Sequence, residues 1–189
     1  DGGGGIDVMQ GFGGNDTYAV DNSSDAVLEA AGGGQDAVYS SVDYIIATTQ
    51  EIETAILTGN ATVLRGDDSG NQLFGNDQVN VIDGRGGTDL MLGQCGADIF
   101  QINLEPGALD IVGDFSKAQG DRLAFTGFNA ATTFVNQTST TSFEVRDTKG
   151  TQTLADDTVQ AFQLWDSYNP AAPASTQGTL VVNQDYYFG

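Results

Sequence analysis

A nine-residue spacing of glycine is the feature that most constrains what this chain can fold into. Between residues 66 and 100 each unit opens on a glycine, carries Asp or Asn sixth, and carries a large apolar residue eighth. The coupled positions are Gly66, Gly75, Gly84 and Gly93; Asn71, Asn80, Asp89 and Asp98; and Leu73, Ile82, Met91 and Phe100. The same register occurs near the start, with Gly2 and Gly11, Asp7 and Asp16, and Met9 and Tyr18. A fixed internal period of this kind is typical of repeat architectures.

Each unit predicts a tight turn followed by a short strand. Glycine-rich stretches such as residues 84–87 permit positive φ and close backbone approach. In the strand at residues 90–92 the side chains alternate, so the uniformly apolar middle position should face the interior. With two units per turn, units 18 residues apart would stack about 4.8 Å apart. We therefore predict an all-β fold, a parallel β-roll or β-solenoid of glycine-rich nonapeptide repeats with a C-terminal β cap.

Charge and composition limit the classes of molecule that the chain can bind. Asp and Glu number 26 against 6 Lys and Arg, a formal net charge of −20. Such a chain repels nucleic acid and anionic membrane surfaces, because a protein needs basic side chains to bind either of them. No apolar run is long enough to span a bilayer. Without histidine, and with Cys95 as the one cysteine, the chain lacks the usual catalytic triads and zinc sites, so we expect no enzymatic activity.

Stacked turns would bring side-chain oxygens together and create a cation site. In the predicted register Asn71 lies against Asp89, and Asn80 against Asp98. Stacked carboxylates repel one another unless a cation lies between them. With the carbonyls of the glycine turns they form an all-oxygen cage, which suits Ca²⁺ better than Mg²⁺. The alternative for any single Asp is an ordinary Asx-turn.

The repeat resembles the Gly-Gly-x-Gly-x-Asp-x-apolar-x nonapeptide of RTX (hemolysin-type) calcium-binding proteins. The units that begin at Gly2, Gly11, Gly84 and Gly93 match it most closely. Elsewhere Asn replaces Asp at positions 71 and 80, and Ser69 and Gln78 replace a glycine. Because Asn offers a neutral oxygen, we expect weaker or empty half-sites there.

The organisation follows from how sharply the period holds. Residues 1–101 are predicted to form the calcium-binding β-roll, with sharp repeats at 1–28 and 66–101. Residues 29–65 should continue the coil with few or no ions, a separate inserted domain being the alternative. Residues 102–168 should form the cap. Residues 169–189 read as a linker and terminal strand, and their acidic, aromatic end resembles a type I secretion signal.

The segment at residues 109–123 resembles the one that closes calcium rolls in serralysin-type proteases and alginate-epimerase R-modules. That likeness implies that Asp110 and Asp114 complete the last calcium site, whereas solvated turn acids are the alternative. A further site across Asp7 and Asp25 fits their 18-residue spacing. The full set of predicted metal ligands is Asp7, Asp16, Asp25, Asn71, Asn80, Gly84, Gly87, Asp89, Gly93, Gly96, Asp98, Asp110 and Asp114.

The RTX resemblance implies a non-catalytic domain of a longer secreted protein. Such domains stay unfolded during type I export and fold on meeting calcium outside the cell, so we expect an extracellular or cell-surface location. Calcium is the expected cofactor, and the secretion machinery an expected partner. The alternative functions are a calcium-folded module that binds polysaccharide or a surface through aromatics at 165–168 and 186–188, and a carboxylate-pair glycosidase or lyase.

Overall fold

A computed structural model describes residues 1–48, 50–105, 108–139, 141–147, 149, 158–164 and 186–188. Every regular element in these ranges is a β-strand, so the all-β prediction is confirmed. In the same ranges, no helix has the length and apolar character needed to cross a bilayer. The expected linker at residues 169–175 and the aromatics at 165–168 lie outside the described residues.

The strands form two large sheets and one small pair. The nine-stranded sheet contains, in spatial order, β14 (Thr133–Gln137), β15 (Ser142–Asp147), β16 (Thr158–Leu164), β12 (Leu109–Val112), β10 (Leu90–Leu92), β8 (Gln72–Phe74), β6 (Thr54–Leu57), β4 (Ala37–Ser40) and β2 (Thr17–Val20). The six-stranded sheet contains β17 (Tyr186–Phe188), β13 (Arg122–Thr126), β11 (Ile99–Asn103), β9 (Val81–Asp83), β7 (Val63–Arg65) and β5 (Tyr44–Ile45). The pair is β1 (Val8–Phe12) with β3 (Ala26–Glu29).

From β1 to β13 successive strands alternate between the two faces, and most pair in parallel with the strand two places along the chain. Gln72 pairs with Leu90 in one sheet, and Val81 pairs with Ile99 in the other, both at the predicted spacing of 18. The chain is therefore a parallel β-solenoid of about six turns, as the repeat predicts.

The eighth position of each repeat fills the interior. Leu73, Ile82, Met91 and Phe100 are all fully buried, whereas their strand neighbours are mostly part-exposed. Full burial of such a side chain contributes roughly 1.5–3 kcal/mol, so a column of them holds the coil together.

The segment with loosened period belongs to the same coil. Strands β4 and β6 lie between β2 and β8, and β5 extends the sheet of β7 and β9. The coil accommodates the irregular spacing by lengthening or shortening its turns, since Thr17 pairs with Ala37 and Ala37 pairs with Thr54.

Parallel stacking continues past residue 101 before the end is covered. Strands β12 and β13 add to the two sheets, and the antiparallel strands β14 to β16 follow at one edge. Aromatic side chains close this end, because Phe125 packs against Phe162, Tyr186 and Phe188 at ring-centroid separations of 5.5–5.6 Å. Such aromatic packing shields the last turn from water.

Candidate metal centre

Two ladders of acidic and amide side chains run along the solenoid, one at the start of each sheet's strands. We call the residues that enter the nine-stranded sheet the first ladder: Asp16, Asp36, Glu53, Asn71, Asp89 and Asp110. The second ladder enters the opposite face: Asp7, Asp25, Asp43, Asn80, Asp98 and Asp121. Because parallel strands stack in register, the members lie one above another, and in the second ladder Thr62 holds the place between Asp43 and Asn80.

Hydrogen bonds between neighbouring turns tie the first ladder together. Asn71 N donates to Asp89 Oδ1 at 2.8 Å, and Asp89 N donates to Asp110 Oδ1 at 3.3 Å. Nearer the start, Asp16 N donates to Asp36 Oδ1 at 2.7 Å. Each carboxylate thus accepts from the backbone of the turn before it, which fixes the side chain against its neighbour.

The second ladder repeats this arrangement. Asn80 N donates to Asp98 Oδ1 at 2.8 Å, and Asp98 N donates to Asp121 Oδ1 at 2.9 Å. Asp7 N donates to Asp25 Oδ1 at 3.0 Å, so the two residues expected to share a site are brought together. The predicted pairs Asn71–Asp89 and Asn80–Asp98 are likewise in contact.

The other carboxylate oxygen in several of these residues has no partner. Among the described residues, the ladder side chains with a buried Oδ2 that makes no hydrogen bond are Asp7, Asp16, Asp36, Asp89 and Asp98. Burying an unsatisfied oxygen costs free energy, and burying a charged one costs more. Asp89 is 1% exposed and Asp98 is fully buried, so water cannot compensate freely.

Contact with the side-chain oxygen of the sixth residue explains why glycine opens each sharp repeat. A Cβ built on Gly84 would overlap Asp89 Oδ2, and a Cβ built on Gly93 would overlap Asp98 Oδ2. Neither glycine has a positive φ, so the requirement is for space rather than for conformation. The first and sixth positions of the repeat are therefore coupled through direct contact.

Burial raises the pKa of the stacked carboxyls. Desolvation is the main cause, and neighbouring carboxylates add to it: the pKa of Asp89 rises to about 8 and that of Asp98 to about 7. The pKa values of Asp110 and Asp121 rise to about 6 for the same reasons, and that of Asp114 is also raised, by burial. A bound cation would oppose these effects, since opposite charge favours the ionised form.

The asparagine turns solve the same problem without a charge. Asn71 Oδ1 accepts from Asp67 N at 2.9 Å, and its Nδ2 donates to the carbonyl of Ile52 at 3.0 Å. Asn80 behaves alike: its Oδ1 accepts from Asn76 N at 2.8 Å and its Nδ2 donates to a carbonyl in the preceding turn. Both amides are satisfied by the protein itself.

Backbone conformation separates the two kinds of turn. In the aspartate turns the second residue is left-handed even where it is not glycine, as in Phe12, Arg85 and Gln94 at φ of 65–71°. The fourth residue is then a positive-φ glycine, with φ of 94° at Gly87 and 130° at Gly96. The asparagine turns have neither feature, so the Ser and Gln at their fourth positions are accommodated.

The remaining predicted ligands lie as follows. The carbonyl oxygens of Gly84 and Gly93 face the glycines one turn earlier. They lie 2.5 Å and 2.7 Å from the points where a Cβ added to Gly66 and to Gly75 would be. Asp114 accepts from Gly93 N at 2.9 Å, whereas Asp110 stacks on the first ladder. These two acids therefore accept hydrogen bonds from different turns of the coil.

The nine-residue register misses several ladder members. Asp36, Glu53 and Asp121 lie 20, 17 and 23 residues from their ladder partners, because the turns between them differ in length. A rule based on the residue that precedes each strand, rather than on a fixed period, would have found them.

All candidate metal-binding atoms in the ladders are oxygens of carboxylates, amides and carbonyls. Such a set of ligands fits a hard cation such as Ca²⁺. No protein-family model matches the chain. A search of curated proteins found no matching relative either.

Proposed function

We propose that this chain is a non-catalytic calcium-binding domain of the RTX kind, belonging to a secreted protein and folding when Ca²⁺ binds. The residues that would hold the ions are Asp89 with Asp110, Asp98 with Asp121, and Asp7 with Asp25. Carbonyls of the intervening glycine turns, including Gly84, Gly87, Gly93 and Gly96, would complete the oxygen shells.

One observation carries the proposal: the sixth residues of the four closest repeats, Asp7, Asp16, Asp89 and Asp98, each bury an Oδ2 that has no partner. A divalent ion would supply the missing partner and neutralise the stacked charge. An acidic surface that merely solvates the protein would instead expose these oxygens.

The sequence has few cations of its own to offer. No Lys or Arg occurs before Arg65, although ten Asp and Glu residues do. The carboxylates in this stretch therefore have no Lys or Arg of the same stretch to neutralise them, and need cations from solution. Mobile monovalent ions provide only diffuse screening.

The energetics favour ion-gated folding. A site that binds only the folded form adds RT ln(1 + [L]/Kd), about 2.7 kcal/mol at a hundred times Kd. Two or three such sites are comparable with the stability of a small domain, about 5–15 kcal/mol. Without calcium, the glycine-rich turns carry a high entropic cost and the carboxylates repel.

The RTX resemblance supplies the biological role. The chain would stay unfolded in a calcium-poor cytoplasm, leave through a type I secretion apparatus, and fold outside the cell. The described aromatics favour core packing over a glycan platform, since Tyr186 is buried and packs against Phe125.

A calcium titration of the whole chain, followed by far-ultraviolet circular dichroism, tests the proposal. We expect a largely disordered spectrum in chelator and a cooperative transition to β-structure with added Ca²⁺. The variant Asp89→Asn/Asp98→Asn should need more calcium or reach a smaller amplitude, whereas the exposed pair Asp21→Asn/Asp68→Asn should titrate like the parent. A full β spectrum in strong chelator, with no calcium binding by calorimetry, would overturn the proposal.

A further inference from the structure

Three carboxylates from two neighbouring turns converge near the start of the coil. The ligand oxygens of Asp16, Glu29 and Asp36 all lie within 4.8 Å of one another. Asp16 and Asp36 are adjacent members of the first ladder, whereas Glu29 is the last residue of β3 and belongs to neither ladder. The repeat pattern predicts no role for Glu29.

Burial and missing partners show that this cluster is more than a solvated acidic surface. Asp36 is only 1% exposed, yet its Oδ2 makes no hydrogen bond. Asp16 Oδ2 is likewise buried and unpartnered. Two orphaned carboxylate oxygens within reach of a third carboxylate call for a positively charged partner.

The space beside Gly11 supports the same reading. A Cβ on Gly11 would overlap three groups at once, namely Asp16 Oδ2, Glu29 Oε1 and the hydroxyl of Tyr18. Gly11 has no positive φ, so glycine is needed here to leave room for converging oxygens. The Tyr18 hydroxyl donates to Glu29 Oε1, which holds that carboxylate in the cluster.

We propose that Asp16, Glu29 and Asp36 form a three-carboxylate cation site, oriented by Tyr18, that binds Ca²⁺ and prefers trivalent lanthanide ions. Its formal charge of −3 exceeds that of a two-carboxylate ladder site. Coulomb attraction grows with the product of the charges, so each added carboxylate favours an ion of higher charge. The proposal rests on the proposed function in that both treat the coil as a calcium binder, but it assigns a separate ligand set.

Tyr18 makes the site observable by itself. Terbium bound next to an excited tyrosine emits by energy transfer, which falls steeply with distance. The emission lost in Tyr18→Phe, at each terbium concentration, is therefore the signal of terbium bound close to Tyr18, and the effect of Glu29→Gln on it assigns that signal to this site. Phenylalanine keeps the buried ring and loses the sensitising phenol.

The experiment titrates the whole chain with Tb³⁺ and compares each variant with its Tyr18→Phe counterpart. For Glu29→Gln, which keeps an oxygen for the Tyr18 hydroxyl, we expect the Tyr18-dependent midpoint to rise on the order of tenfold, since one charge of three is lost. Asp36→Asn should act in the same direction. Glu51→Gln makes the same change in charge at an exposed residue nearby and should leave the midpoint unchanged.

Absence of any Tyr18-dependent emission in the parent would overturn the proposal, whatever the variants do. A Glu29→Gln midpoint equal to that of Glu51→Gln would also overturn it. Circular dichroism in chelator separates this from the proposed function. If the chain folds without calcium but shows Tyr18-dependent emission, the site stands and ion-gated folding is wrong. If the chain folds only with calcium but shows no Tyr18-dependent emission, ion-gated folding stands and the site is wrong.

Discussion

Asn71 and Asp89 occupy equivalent places in adjacent turns, and Asn71 N donates to Asp89 Oδ1 at 2.8 Å. They differ in the second atom of the side chain. Asn71 Nδ2 donates to the carbonyl of Ile52 at 3.0 Å, whereas Asp89 Oδ2 is buried without a partner. The solenoid therefore contains both turns closed by an amide and turns that leave a buried carboxylate oxygen without a partner.

The first prediction concerns Asp89→Asn, which should change stability in opposite directions with and without calcium. In chelator the variant loses a buried, repelled carboxylate and should gain about 1–3 kcal/mol, the cost of an unsatisfied buried group. At calcium a hundredfold above Kd it should lose roughly 2.7 kcal/mol, because one site is gone. Because we expect the chelated chain to be largely disordered in plain buffer, both conditions contain the same concentration of a stabilising osmolyte that folds it, and thermal unfolding then measures both effects.

The exposed residue Asp68 provides the control for these opposite changes in stability with and without calcium. Asp68→Asn removes the same charge, so any general relief of repulsion would appear in both variants. A stabilisation of Asp89→Asn that persists unchanged in saturating calcium would contradict a metal role for Asp89.

The second prediction reverses the substitution. Asn71→Asp replaces the amide that donates to Ile52 and places a carboxylate beside Asp89. In chelator with the folding osmolyte, we expect the protein to lose about 2 kcal/mol or more, since a buried hydrogen bond is replaced by an unpaired charge. Calorimetry should detect one additional calcium ion. Unchanged stoichiometry together with unchanged stability in chelator would show that the two residue types are interchangeable.

The repeat predicts the architecture because its three coupled positions act locally. Glycine at the first position, an oxygen at the sixth and an apolar residue at the eighth specify turn, ladder and core within one unit. Leu73 and Ile82 are accordingly buried, and Asn71 meets Asp89 at the expected spacing of 18. The cap is different, since its strands obey no period and close the coil through long-range contacts such as Phe125 with Tyr186.

The candidate site could be predicted only where turn length is constant. Asp36 and Asp121 join the ladders across 20 and 23 residues, so a fixed period passes over them. Glu29 is harder still, because it reaches the cluster from the end of a strand and carries no repeat signature. The division of Asp110 and Asp114 between two turns depends on how the chain runs between them, which no local pattern encodes.

The third prediction uses the contact between the first and sixth positions of a repeat. Gly84→Ala places a Cβ where Asp89 Oδ2 lies, so the carboxylate must move away. We expect a loss of about 1–3 kcal/mol in calcium, typical of overpacking, together with weaker calcium binding. Gly13→Ala is the matched control, because the nearest atom to its Cβ is 3.8 Å away and its φ is not positive. Equal losses in the two variants would mean that backbone flexibility, not the carboxylate, sets the requirement.

The last prediction is a pH dependence whose sign calcium reverses. Burial raises the pKa of Asp89 from 3.8 to about 8 and that of Asp98 to about 7 in the folded, ion-free coil. The folded form then binds more protons than the unfolded form between about pH 4 and pH 8, so its stability falls as pH rises through that window. In chelator with an osmolyte that folds the chain, the melting temperature should be higher at pH 5.5 than at pH 8.

In saturating calcium the order should invert, since the ion needs ionised carboxylates and protons compete with it at pH 5.5. Melting curves at the two pH values, with chelator and with calcium, give the four numbers required. The variant Asp89→Asn/Asp98→Asn should flatten the dependence in both series, because it removes the two carboxyls with the highest pKa. A chelated protein that grows more stable from pH 5.5 to pH 8 would show that the protein itself stabilises these carboxylates in their ionised form without a metal ion. The ion-gated scheme would then fail.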